Sequence, residues 1–145
     1  MEESSIVKSF GDIERSESKT KMSIYTTIDP TDIKRLYNLD NSSCDFKLVD
    51  CKGQSIKVVD VLIKNFDKFV DDDGNTLETP ENKKITILID DQGKSYVTAS
   101  KIFAIQMLRF IEKFGNDAFA QGLDIKIVER EIKGSKNKGL GFELL

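Results

Sequence analysis

Histidine and tryptophan are missing from this chain of 145 residues, and proline and cysteine occur only twice each. The first absence excludes most. Without imidazole there is no common metal ligand and no ordinary general base at neutral pH, and a serine or cysteine nucleophile has nothing to activate it. No Gly-x-Gly-x-x-Gly, Walker-type Gly-Lys-Ser or zinc-ligand spacing occurs. The run Asp71-Asp72-Asp73-Gly74-Asn75-Thr76-Leu77-Glu78 has the acids of a calcium loop, but its Gly and Glu stand at the wrong positions. A solvated hairpin turn accounts for it better. A non-catalytic protein with no metal and no cofactor is expected. No apolar run approaches twenty residues, so no membrane span is expected. Met1-Glu2-Glu3-Ser4-Ser5 lacks the apolar stretch of a signal peptide. Cys44 and Cys51 are therefore expected to be free thiols in a cytoplasmic protein that is not secreted. The net charge of -3 weighs only weakly against nucleic acid, because a local basic patch is what binds a phosphate backbone.

What is present is concentrated between Lys84 and Phe114. Lys84-Ile85-Thr86-Ile87-Leu88-Ile89 is a β-branched strand, Asp90-Asp91-Gln92-Gly93 a turn, and Lys94–Thr98 a second strand with Tyr96 and Thr98 on one face. The period then changes to 3.6. Phe103, Ala104, Met107, Leu108, Phe110, Ile111 and Phe114 share one side of a helix, with Ser100 as N-cap and Gly115 ending it.

Residues 1–21 mix charge with serine, and a mobile tail is expected there. The alternative is an arm whose Ile6, Phe10 and Ile13, at helical spacing, dock against Ile102 and Ile105. Residues 22–145 form the single folded domain. In it Ser23–Ile28 has strand character, and Thr31–Asn38 reads as a short helix capped by Asp29 with Pro30 at its first position. Phe46–Val49 is ambiguous. Gln54–Phe69 is the longest strand candidate, with Lys57, Val59, Val61 and Ile63 as its core face. Thr76–Lys83, containing Pro80, reads as a polar connection. Leu123–Ile132 and Leu140–Leu144 are the last two strands, joined by a basic loop. Three strands, a helix and two strands is the order of a five-stranded Greek-key barrel of the OB kind, closed or nearly so with the helix plugging one end. An α+β sandwich is the alternative.

Single-strand binders combine cations for the backbone with aromatic faces for the bases. The candidates are Tyr96 with Lys83, Lys84 and Lys94 around it, Phe66 and Phe69 at the end of the long strand, and the loop cluster Arg130, Lys133, Lys136 and Lys138. On an OB barrel that loop is one of the two that grip an oligonucleotide.

Several stretches carry a resemblance. They are Ile24-Tyr25-Thr26-Thr27-Ile28-Asp29, Lys34-Arg35-Leu36-Tyr37-Asn38, Gly53–Val61, and above all Ile87-Leu88-Ile89-Asp90-Asp91-Gln92-Gly93-Lys94-Ser95-Tyr96-Val97-Thr98-Ala99-Ser100-Lys101. From Ile24 onward the chain resembles the small single-stranded DNA-binding proteins of tailed phages that infect low-GC Gram-positive bacteria. The resemblance implies an OB-like fold and a non-catalytic role coating single-stranded DNA in phage replication and recombination, in the cytoplasm of the host. Replication or recombination proteins would be its partners, and its oligomeric state is open between monomer and homodimer. Two features depart from the family. There is no Trp where a Trp- and Pro-containing segment follows the helix, and residues 1–21 are an extension. A rival reading is a protein-interaction module or inhibitor. It would act through the acidic segment 67–81, where Asp67, Asp71, Asp72, Asp73, Glu78 and Glu81 outnumber Lys68 and could mimic DNA phosphates.

Overall fold

A computed structural model describes residues 22–41, 43–71, 73–131, 134 and 138–145. The expectations for residues 1–21, for Lys133 and Lys136, and for the Lys138 side chain lie outside the described residues. The strands are β1 (Met22–Thr26), β2 (Phe46–Lys47), β3 (Ser55–Val70), β4 (Thr76–Asp90), β5 (Ser95–Thr98), β6 (Leu123–Glu131) and β7 (Lys138–Leu144). Helix α1 is Ile33–Asn41 and α2 is Lys101–Phe114, with 3₁₀ turns at Leu48–Cys51 and Asn116–Phe119. Half the chain is strand, in one strongly curled mixed sheet that forms a half-barrel of OB-like order. The path is β2-β5-β4-β3-β6-β7, with β1 added to β3.

Strand β3 is the spine. One edge carries β4; the other carries β6 along Ser55–Val58 and β1 along Leu62–Phe66. Its phase is where the alternation read from sequence fails. Between Val58 and Asp60 the register shifts, a β-bulge that moves every later side chain to the other face. Ile56 and Val58 therefore share the barrel core with Val61 and Ile63, while Val59 and Leu62 face outward beneath α1. The end of β1 holds the bulge in place. The Thr27 hydroxyl donates to Asp60 at 3.0 Å and accepts from the Val61 amide at 2.9 Å, and Arg35 of α1 reaches Asp60 at 2.7 Å.

Two cores result. The inner one gathers Leu48, Val58, Val61, Leu88, Phe103, Met107, Ile125, Ile127 and Phe142. The outer one packs Ile28 and Leu36 on Leu62, Ile87 and Ile89. Helix α1 starts later than its sequence suggests. Asp29 closes a turn by accepting from the Thr31 amide and hydroxyl, and Asp32 is the residue that caps Arg35. Thr76–Lys83 is strand and not a connection, because β3 is long enough to pair with it. Both cysteines are free thiols.

No ladder joins β5 to β7 among the described residues, so the barrel is not closed by strand pairing. Helix α2 provides for that edge instead. The Gln106 side-chain amide donates to the Phe142 carbonyl at 2.7 Å and accepts from its N–H at 3.1 Å, as a neighbouring strand would. Ser100, the N-cap of α2, accepts from Phe103 N at 3.2 Å and from the Leu140 amide at 3.4 Å. The helix buries Phe103, Ala104, Met107 and Ile111, whereas Phe114, expected in the core, is 58% exposed. No helix among the described residues is long and apolar enough to cross a membrane.

Candidate nucleic-acid interface

Strand β5 is four residues long and pairs with β4 only from Thr86 to Ile89. Among the described residues no strand covers that edge of β4 from Thr76 to Ile85. Pro80, which has no N–H, and the charged side chains of Lys83 and Lys84 protect it from pairing with other chains. Where β5 stops, a groove opens.

The groove is a track of three basins that share walls. The first, about 490 Å³, is lined by Phe66, Phe69, Lys83, Lys84, Ile85 and Ala99 among others. Ile85 and Ala99 also wall the second, about 340 Å³, with Lys47, Val49 and Ser100. Val49 and Ser100 in turn wall the third, about 310 Å³, with Lys101, Ile102, Gly139 and Leu140. The track thus runs from the projecting β3–β4 ribbon, past the end of β5, to the start of β7.

Its cations are held loosely. Lys84 Nζ donates to two neutral amides, Asn82 at 2.6 Å and Asn65 at 3.0 Å, so its charge is placed without being cancelled. Lys83 pairs with Glu81 at 3.1 Å, but both side chains are about half exposed. Such a pair contributes roughly 0–1 kcal/mol, which a phosphate can displace. Lys47 and Lys101 have no carboxylate partner within 4 Å among the described residues. No group of three or more metal-ligating side chains occurs among the described residues.

Of the residues singled out from sequence, Phe66, Phe69, Lys83 and Lys84 meet in the first basin. Arg130 pairs across from Gly139 at the far end, and its side chain lies over Gly141, where an added Cβ would meet its Cγ at 2.9 Å. Lys138 is in β7. Tyr96 and Lys94 are placed elsewhere. Tyr96 lies opposite Leu88, four residues along β4 from Lys84, or about 13 Å at strand rise. The lysines at 83 and 84 therefore stand midway along β4 and Lys94 past its Asp90 end, not around one ring. The Tyr96 ring packs on the inner core and stacks on Phe46 with centroids 5.1 Å apart. Its hydroxyl donates to Asp90 at 2.8 Å. Burial, reinforced by that carboxylate, pushes its ionisation up to about 12. Tyr96 is a structural side chain, not a bare platform.

No family model, curated protein or solved structure matches this chain.

Lys47, Val49, Ala99 and Lys101 were not legible as site residues. The parallel pairing of Phe46–Lys47 with Tyr96–Val97 brings the first two to the track. It is fixed by Asp45, whose carboxylate accepts from the Ser95 amide at 2.9 Å and whose own N–H donates to the Ser95 hydroxyl at 3.0 Å. Lys101 follows a recognisable N-cap, the one signal that pointed toward it.

Proposed function

We propose that the chain is a non-catalytic single-stranded DNA-binding protein that seats its strand along this track. The observation that carries the reading is the continuity of the three basins, with aromatic rings at one end and Lys47, Lys83, Lys84 and Lys101 spaced along them. Cations contact the backbone, and the half-buried Phe66 and Phe69 offer ring faces to bases, the combination that sequence-tolerant single-strand binding uses. Duplex DNA keeps its bases stacked away from such rings. The pattern resemblance adds the setting: phage DNA replication or recombination in the bacterial cytoplasm, alongside the proteins of those processes. Amides hold part of the acidic segment in place without cancelling its charge. Asp67 accepts from Asn82 at 3.0 Å, and Asp71 is engaged by the amides of Asp73 and Asn75, both at 2.9 Å.

A titration of labelled oligonucleotides across several salt concentrations tests the reading. Log K should fall by about 0.7 per decade of salt for each phosphate neutralised. Replacing Lys47, Lys83 and Lys101 by Ala together should therefore reduce the slope by about 2. Phe69→Ala should cost roughly 1–3 kcal/mol of binding with little change in slope. Equal binding of duplex and single strands, or an unchanged slope in the triple variant, would overturn it.

A further inference from the structure

A carboxylate stands among the lysines of the first basin. Asp67 lines it together with Phe66, Phe69, Lys83 and Lys84, and its charge opposes the phosphates that those lysines attract. The charge is not cancelled from within. Asp67 is in no ion pair closer than 4 Å among the described residues, although Lys84 lies diagonally across the ribbon from it. The register shows why. Asn65 is opposite Lys84 and Asp67 opposite Asn82, so the four residues form a square. The Asn82 amide turns its oxygen to Lys84 Nζ at 2.6 Å and its nitrogen to Asp67 Oδ1 at 3.0 Å. Asn65 Oδ1 accepts from both Asn82 and Lys84, each at 3.0 Å. The two amides thus occupy the lysine, and Asp67 is held by one oxygen. Its Oδ2 accepts no hydrogen bond among the described residues.

An ionised carboxylate only accepts hydrogen bonds, so what Oδ2 lacks is a donor. A single strand on this track brings phosphates, which accept, and bases. Cytosine carries a donating amino group at the position where thymine presents a carbonyl oxygen. Unpaired bases expose that edge. Phe66 and Phe69 flank Asp67 in the chain, and a base resting on either ring shares the basin with the carboxylate. We propose that Asp67 sets a base preference on the track: its carboxylate accepts from the exocyclic amino group of one base seated in the first basin and favours cytosine over thymine there. The proposal rests on the track being the path of single-stranded DNA and adds specificity at one nucleotide. Thymine would set its own carbonyl oxygen against the carboxylate, two acceptors with no proton between them.

The test compares oligodeoxycytidylate, oligodeoxythymidylate and oligodeoxyuridylate of one length at neutral pH. All three are pyrimidine strands of equal charge, and the uridine strand separates the thymine methyl from the amino group. The cytidine strand should bind tighter than both others by about fivefold, the low end for a single base contact. The salt slope should be the same for all three, because their phosphates are the same. Asp67→Asn keeps an oxygen for the Asn82 amide and turns an amino group toward the base. In that variant every strand should gain affinity from the lost negative charge, while the cytosine preference disappears or inverts. Equal binding of cytidine and thymidine strands by the parent protein overturns the proposal without any variant. So does a cytosine preference that survives Asp67→Asn, which would leave Asp67 only its charge. Salt-dependent binding without base preference removes this inference and leaves the track standing; no binding of any of the three removes both.

Discussion

At the scale of single residues, Tyr96 is the most instructive. Its place between lysine-bearing segments suggested a stacking surface, and its alternation with Val97 was read correctly. Nothing in the composition of the turn showed that Asp90 is also its hydrogen-bond acceptor across six residues. Asp90 accepts from the amides of Gln92 and Lys94 through its other oxygen, so one carboxylate ties turn to strand. The raised ionisation of Tyr96 means that the folded state retains the phenolic proton after the unfolded chain, titrating near 10, has lost it. The stability this contributes is complete below about pH 10 and disappears as pH rises toward about 12. Absorbance titration of the phenolates should show a step near that value, absent in Tyr96→Phe and moved down toward the ordinary tyrosine range in Asp90→Asn. Oligonucleotide affinity near neutral pH should be the same in Tyr96→Phe, because the ring and not the hydroxyl holds Phe46.

Elements were legible where one period governed a whole segment. The cap, the buried stripe and the Gly115 end of α2 follow from 3.6-residue spacing, but Phe114 is exposed, its ring resting against Phe110 with centroids 4.9 Å apart. β3 was only half legible. A strict alternation assigns one face to the core throughout, and a bulge of one residue leaves no mark in composition. The partial closure by α2 was hidden for a similar reason: Gln106 is an ordinary helix residue until its amide is seen bonding both backbone groups of Phe142. Gln106→Leu should leave those two groups without partners in a partly buried setting. A cost of about 1–3 kcal/mol for a buried unpaired polar group is expected, read as a lower midpoint in urea. Amide exchange should quicken at Phe142 more than at Ile127, whose own N–H donates to the Gln54 carbonyl at 3.0 Å.

For the molecule as a whole, the strand order announced the OB-like class, while the interface was legible only in part. Phe66, Phe69, Lys83 and Lys84 were each singled out, but the lysines were assigned to Tyr96, because their place across the β3–β4 ribbon from the phenylalanines shows only in the register. Lys47 and Lys101 were missed because they join the track through parallel pairing and a helix start distant in sequence. Electrostatics at this scale also predict acid sensitivity. Backbone N–H groups of Thr31, Ser95 and Asn75 hold the carboxyls of Asp29, Asp45 and Asp71 below their ordinary range. Stability from these groups is present above the unfolded value of about 4 and is lost as pH falls through the lower folded values. Thermal midpoints measured from neutral pH downward should begin to drop there, and less steeply in Asp45→Asn.

The shared edge of β3 has a consequence in time. Its first four residues wait for β6, from the last quarter of the chain, and Leu62–Phe66 take β1, from the beginning of the described residues. A nascent chain emerging from a ribosome can therefore form the β3–β4 ribbon early, but it cannot seal the inner core until Leu123 to Phe142 have been synthesised. Closure of such sequence-distant pairings is the slow step in folding. Until then Ile56, Val58 and Leu88 face water, and the charged, proline-bearing edge of β4 is what keeps the waiting ribbon from joining another.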